Sequence, residues 1–390
     1  MRVKLGEICK FQSGGTPAKG NIEYFGGSIP WITTTALNGG RIDEHNAVDW
    51  ITEKAIKESA AKIVPAFSIM VGTRVGVGKV AVNVVGMSTN QDIISLIDID
   101  EDKWSKDFLC KFIQAKSGYL NSQARGATIK GIKIDVLAAL ELPTLLMREQ
   151  QHISHIIDSV KNMISFRERE LIKLDNLIKA RFVEMFGDPI INSFGIETKP
   201  MTDVCEIIDG DRGKNYPTAD EFSDEGYCLF LNAKNVTSTG FNFDTCMFVT
   251  KEKDEALRKG KLFRGDVVLT TRGTLGNLAF YTEDIPFEHV RINSGMVILR
   301  MKQDVVDEVY FIEQFKMRLA DIREKVASGS AQPQLPISTM NKINILIPDI
   351  EKQRQFADFV HQVDKSKVAV QKALDETQLL FNSLMQKYFG

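Results

Sequence analysis

Apolar residues recur at alternating three- and four-residue intervals through two long, polar-rich stretches of the chain. In the first, Ile157, Ile164, Leu171, Ile178 and Met185 share one heptad position, with Ile153, Val160, Arg167, Leu174 and Arg181 at the other. The second places Val360, Lys367, Leu374, Phe381 and Tyr388 beside Phe356, Val363, Val370, Thr377 and Leu384. Sixteen of these twenty positions are apolar, the pattern of a coiled-coil seam. Its polar breaks fall at different levels in the two stretches, which suits pairing of the two with each other. The predicted interface is Ile157, Ile164, Leu171 and Ile178 against Val360, Val363, Leu374 and Phe381. Some 35 helical residues at 1.5 Å each span roughly 50 Å.

The segments before each stretch have a different texture. Short β-branched runs such as Val80-Ala81-Val82 and Ile93-Ile94 alternate with turn clusters such as Ser13-Gly14-Gly15-Thr16-Pro17 and Asn38-Gly39-Gly40. Strands are predicted over Asp266–Thr271, Asn277–Tyr281 and Met296–Arg300, with helices around Glu53–Ala61, Lys106–Lys116 and Val309–Lys325. Each segment closes on a proline-ended strand, Leu140–Pro143 or Ile345–Pro348.

These textures form an internal repeat. Glu149-Gln150 and Lys352-Gln353 open the two helical stretches, and Phe186-Gly187 and Phe389-Gly390 end them, all at an offset of 203 residues. The offset is 198 between Thr73-Arg74 and Thr271-Arg272, and 196 between Cys9 and Cys205. A unit near 200 residues is too long for a solenoid and long enough for one domain plus one helix. The expected fold is α/β (α+β): a domain over 1–142, a helix over 143–187, a second domain over 188–347 and a second helix over 348–390.

Composition narrows the setting. Five cysteines, with no C-x-x-C pair, argue for a reducing compartment and against a disulfide framework or zinc module. No apolar run approaches a membrane span and no signal-peptide core is visible, so a cytoplasmic location is expected. Net charge is −2 overall, but +2 over residues 1–142 and −5 over 188–347. No acid lies between Glu58 and Asp92 or between Asp107 and Asp135, windows that carry Lys62, Arg74 and Lys79, and Lys111, Lys116, Arg125, Lys130 and Lys133. Such windows permit phosphate-facing surfaces, and tighter backbone contacts are expected from the first domain.

Catalytic patterns fail on inspection. Gly72–Lys79 is one residue too long for a P-loop and has Val80 where a magnesium-binding hydroxyl belongs. His152 and His155 have no third ligand nearby, and no nucleophile elbow or Asn-Pro-Pro-aromatic motif occurs. What recurs is polar and loop-borne. Arg74 and Arg272 occupy one repeat position, and arginine bridges guanine or phosphate oxygens in bidentate fashion. The candidate DNA-facing set is Thr34, Arg74, Lys79, Asn90, Gln91, Arg125 and Lys130, then Lys234, Arg272, Asn277, Arg291, Asn293, Ser330 and Gln332.

The tandem layout, Ser13–Pro17, Ile29-Pro30-Trp31-Ile32 with Thr33-Thr34-Thr35, Arg148–Ile153 and Phe186-Gly187-Asp188-Pro189 together resemble the specificity subunits of Type I restriction-modification systems. That resemblance implies two target-recognition domains, each reading half of a split DNA sequence. It also implies two helices in an antiparallel coiled coil that set the spacing and dock two modification subunits. A non-catalytic chain is expected, with S-adenosylmethionine on the modification partner and a restriction subunit as a further partner. The second half departs from the pattern, offering Tyr227–Asn232 in place of the Pro-Trp element. The competing expectation is a coiled-coil adaptor joining two protein-binding domains without touching DNA. A steep loss of DNA affinity with salt would separate the two.

Overall fold

The computed structural model describes residues 2–126, 128, 130–327 and 334–390. It divides into two compact units: Met1–Glu168 with Lys372–Gly390, and Arg169–Gln371.

In the first unit a five-stranded sheet runs in the order Lys10–Ser13, Ile93–Ile97, Ile69–Gly72, Val80–Asn83, Arg41–Ile42. A second sheet orders Asp49–Ile51, Phe25–Ile32, Met87–Thr89, Ile63–Val64. The helix Lys106–Ala115 buries Phe108, Leu109, Phe112 and Ile113 against Ile69, Val71, Val80, Ile94 and Leu96 of the first sheet. Trp31 donates its indole N–H to the Gly15 carbonyl at 3.2 Å, which ties the glycine-rich opening to the Pro-Trp strand.

The second unit repeats this plan. Cys205–Asp209, Met296–Met301, Val267–Thr270 and Leu278–Phe280 form one sheet, and Phe248–Val249, Cys228–Leu231 and Val290–Ile292 another. Leu231 pairs with Ile292 in parallel as Ile32 pairs with Thr89. The Pro-Trp strand therefore has a counterpart despite its different sequence, because what the position requires is a strand buried on both faces.

The two predicted helical stretches are single helices, Met147–Phe186 and Ile350–Phe389. The first starts where Glu149 accepts the Leu146 backbone N–H at 2.8 Å. It stops at Gly187, whose φ of +74° an L side chain would resist, followed by Pro189. Asp349 caps the second, accepting the Glu351 N–H at 2.8 Å. All twenty seam positions are buried or half-buried. Within the first unit, Ile153 and Ile157 share a core with Phe381, Leu384 and Phe389, and Arg167 donates to the Ala373 carbonyl. Within the second, Leu174 and Ile178 share a core with Phe356, Val360 and Val363, and Lys367 pairs with Asp175 at 2.8 Å. In both units the start of one helix lies beside the end of the other, an antiparallel arrangement.

Candidate nucleic-acid interface

The two repeat arginines leave from the same backbone frame. Thr73 donates both its N–H and its hydroxyl to the Asp92 carbonyl, at 2.8 and 3.1 Å. Thr271 does the same to Gly295, at 2.8 and 3.0 Å. The Thr73 and Thr271 carbonyls accept from Ile132 and Leu335, at 2.8 and 3.0 Å. A glycine completes each turn: Gly78 and Gly276 sit at φ +82° and +89°, and a Cβ there would lie 2.8 Å from Ser117 or 2.1 Å from Leu319. Arg74 and Arg272 are thus presented outward, both exposed, from a fixed loop.

In the first unit Arg74, Gln123, Arg125 and Lys133 line one groove of about 550 Å³. Arg125 is held there by backbone hydrogen bonds with Gly131, at 2.9 and 3.0 Å. Asp92 stands 3.8 Å from Arg74 and is itself held by the Asn90 amide at 3.0 Å, so Asn90 works behind the arginine and is buried. Gln91 is exposed and bonded by Thr16, and Lys79 and Lys130 are exposed outside the groove lining.

In the second unit the equivalent groove holds Arg272 with Asp209, Arg212 and Gln334. Arg212 pairs with Asp209 at 3.1 Å and donates to the Ser294 carbonyl at 3.2 Å. Beside it, a cleft of about 760 Å³ brings Lys234 and Asn277 together with Thr237, Thr274 and Arg323. Asn277 donates its amide to the Val236 carbonyl at 3.0 Å, and Asn293 accepts the Gly295 N–H at 2.9 Å. Both side chains are therefore partly spent on backbone groups of the domain itself.

Two expected contacts are corrected. Arg291 is 4 % exposed, bound to Asp254 and to the Lys259 and Leu257 carbonyls at 2.8 and 3.1 Å, so its guanidinium is turned inward and away from any ligand. Thr34 is buried at the start of a short 3-10 turn. Ser330 and Gln332 lie outside the described residues. Conversely, Gln123, Lys133, Arg212 and Arg323 belong to the grooves. For Lys133 the acid-free window was a signal; Arg323 sits in a mixed-charge helical run that carries none.

A family model for the Type I restriction modification DNA specificity domain matches residues 1–176 and again 195–377. The chain belongs to this family. Its role is that of a specificity subunit, DNA target recognition within a Type I restriction-modification system. The subunit is 24% identical to the MjaIX specificity subunit of Methanocaldococcus jannaschii, over 98% of this chain and 91% of that one. Across 40% of its length it is 33% identical to the EcoR124I/EcoR124II specificity subunit of Escherichia coli, covering 39% of the latter. A solved structure on complex assembly and conformational transition of the type I R-M system shares the fold at a TM-score of 0.65 and 17% identity. It covers all of this chain and 97% of that chain. The S subunit from M. genitalium gives 0.57 at 16% identity, covering all of this chain and 96% of that one.

Among the described residues of the specificity subunit, no group of three or more His, Cys, Asp or Glu side chains could hold a metal ion. Burial pushes the Cys9, Cys110, Cys205 and Cys228 thiols up to about 12, so each stays protonated at neutral pH. No described helix is long and apolar enough to cross a membrane.

Proposed function

We propose that the subunit reads a two-part DNA target without chemistry of its own. The first domain reads one part through the groove of Arg74, Gln123, Arg125 and Lys133. The second reads the other through Arg272 and the cleft of Lys234 and Arg323. One observation carries this reading. The same outward arginine, on the same hydrogen-bonded glycine turn, borders a groove in each half, although the surrounding sequences differ. A guanidinium so placed can grip guanine O6 and N7 or a phosphate with two parallel bonds.

The antiparallel helices act as the spacer that sets the separation of the two parts. Their outer faces carry exposed apolar residues, Met163, Phe166 and Leu379 in the first unit and Ile172, Leu177 and Val368 in the second. Exposed apolar surface of that kind is footing for partner chains, here two modification subunits that bring the methyl donor S-adenosylmethionine. The DNA is double-stranded and the assembly works in the cytoplasm.

The test is methylation sequencing with the reconstituted complex. Arg74→Ala should relax or abolish one part of the methylated motif and leave the other intact; Arg272→Ala should do the converse. An unchanged motif and unchanged affinity in both variants would remove the arginines from the interface.

A further inference from the structure

Gln150 and Gln353 are fully buried and make matching hydrogen bonds. The Gln150 amide oxygen accepts the Ser105 N–H at 2.9 Å, and its amide donates to the Lys103 and Leu145 carbonyls at 2.8 and 2.9 Å. In the other unit Gln353 accepts the Asp307 N–H at 3.0 Å and donates to the Val305 and Pro348 carbonyls at 3.2 and 2.8 Å. Ser105 and Asp307 are themselves caps. Ser105 accepts the Phe108 N–H at 3.4 Å, and Asp307 accepts from Val309 and Tyr310 at 2.9 and 3.1 Å. Each glutamine therefore joins three segments: the root of a long helix, the N-cap of its domain's main helix, and the stretch leaving the proline-ended strand.

A hydrophobic side chain could fill this volume, and a carboxylate could supply the acceptor. Only a primary amide offers one acceptor and two donors in a fixed plane. Such a bond set is directional where apolar packing is not, and in a dry interior its members support one another. Placed at the helix root, it holds the domain at a single angle on the helix.

We infer that Gln150 and Gln353 are positioning residues for target spacing. Each locks its recognition domain to its long helix, and thereby sets how far apart the two half-sites must lie. This rests on the two-part reading above.

The experiment uses the reconstituted methylation complex on a target library in which the interval between the half-sites varies by one and two base pairs. Gln150→Leu and Gln353→Leu keep the volume and remove the bonds. Hydrogen exchange at the Ser105 and Asp307 amides confirms the loss of each clamp. Both variants should methylate the same half-site bases, while the preference for the native interval over its neighbours falls at least threefold. An unaltered interval preference with the amides deprotected would overturn the inference alone. Loss of cooperative unfolding in both variants, and also in Gln150→Met and Gln353→Met, would make the glutamines fold-holding groups and overturn it as well. If the unmodified complex methylates no two-part motif, the functional reading itself fails, and the inference with it.

Discussion

Arg272 and Arg291 look alike in the sequence, each at or beside a short strand in the second domain, yet only one faces outward. Alternation along Val290-Arg291-Ile292 turns Arg291 away from the apolar pair, which reads as solvent. Instead the strand is covered on that side by the helix Lys251–Ala256, and Asp254 meets the guanidinium there. Nothing in Lys251-Glu252-Lys253-Asp254-Glu255 marks one acid as interior. Removing the guanidinium leaves the buried Asp254 carboxylate to Lys261 alone, so Arg291→Ala should destabilise the chain in urea unfolding, by less than the roughly 3–5 kcal/mol of a fully unpaired buried charge. Burial alone would raise the Asp254 carboxyl, but hydrogen bonds and charge from Lys261 and Arg291 outweigh it and leave the carboxyl below its ordinary value. A depressed folded-state value contributes stability that is fully present above the unfolded value, about 3.9, and is lost as pH falls through the folded one. The stability gap between the native chain and Asp254→Asn should therefore hold from neutral pH down to about 4 and shrink below it. A gap that closes between pH 5 and 7 would contradict this. The exposure of Arg74 was legible for the opposite reason: the arginine recurs on a glycine-rich turn and not inside a strand.

At the level of the elements, the heptad seam was the most readable feature of the chain, because an apolar period of 3.5 residues sustained over several heptads is the mark of paired helices. What it could not report is how the helices end. Phe182, Phe186 and Phe389 lie off the heptad positions and pack on a third surface. Phe389 meets Phe108 and Phe112 at ring separations of 5.3 and 6.3 Å. Phe186 meets Tyr310 and Phe356 at 5.0 and 5.7 Å. Each helix thus roots on one domain and anchors its tip in the other unit's core. Phe389→Ala should cost about 3–5 kcal/mol and lower hydrogen-exchange protection in Lys106–Ala115. Phe186→Ala should act on Glu308–Ala327 instead. Matching losses in the domain that precedes each helix would refute that pattern. In the seam, Ile157→Ala should destabilise by about 2–5 kcal/mol, and the half-buried Ile164→Ala by less, in the same denaturation series.

For the molecule as a whole, a net charge of −2 means that any attraction to DNA is local. The groove lined by Arg74, Arg125 and Lys133 gathers three cations in the first unit. If Arg125 and Lys133 each neutralise a phosphate, removing both should flatten the slope of log affinity against log salt by about 1.8 units, read by fluorescence anisotropy across a salt series. An unchanged slope would place both side chains off the backbone. The duplication was plain in the sequence, since its landmarks recur in order at offsets of 196, 198 and 203 residues. The discontinuity of the first unit was not, because a heptad seam says that two helices pair but not which domain core the tip of the second one completes. That discontinuity bears on biosynthesis. A ribosome supplies every residue of the Arg169–Gln371 unit before it reaches Lys372–Gly390, which the other unit needs to close its core. At about 5–20 residues per second, Phe108 and Phe112 await their ring partner for roughly 15–60 s. The domain translated before the Arg169–Gln371 unit thus completes its core only after that unit has emerged, and during that interval its aromatic face is open to chaperones or to aggregation.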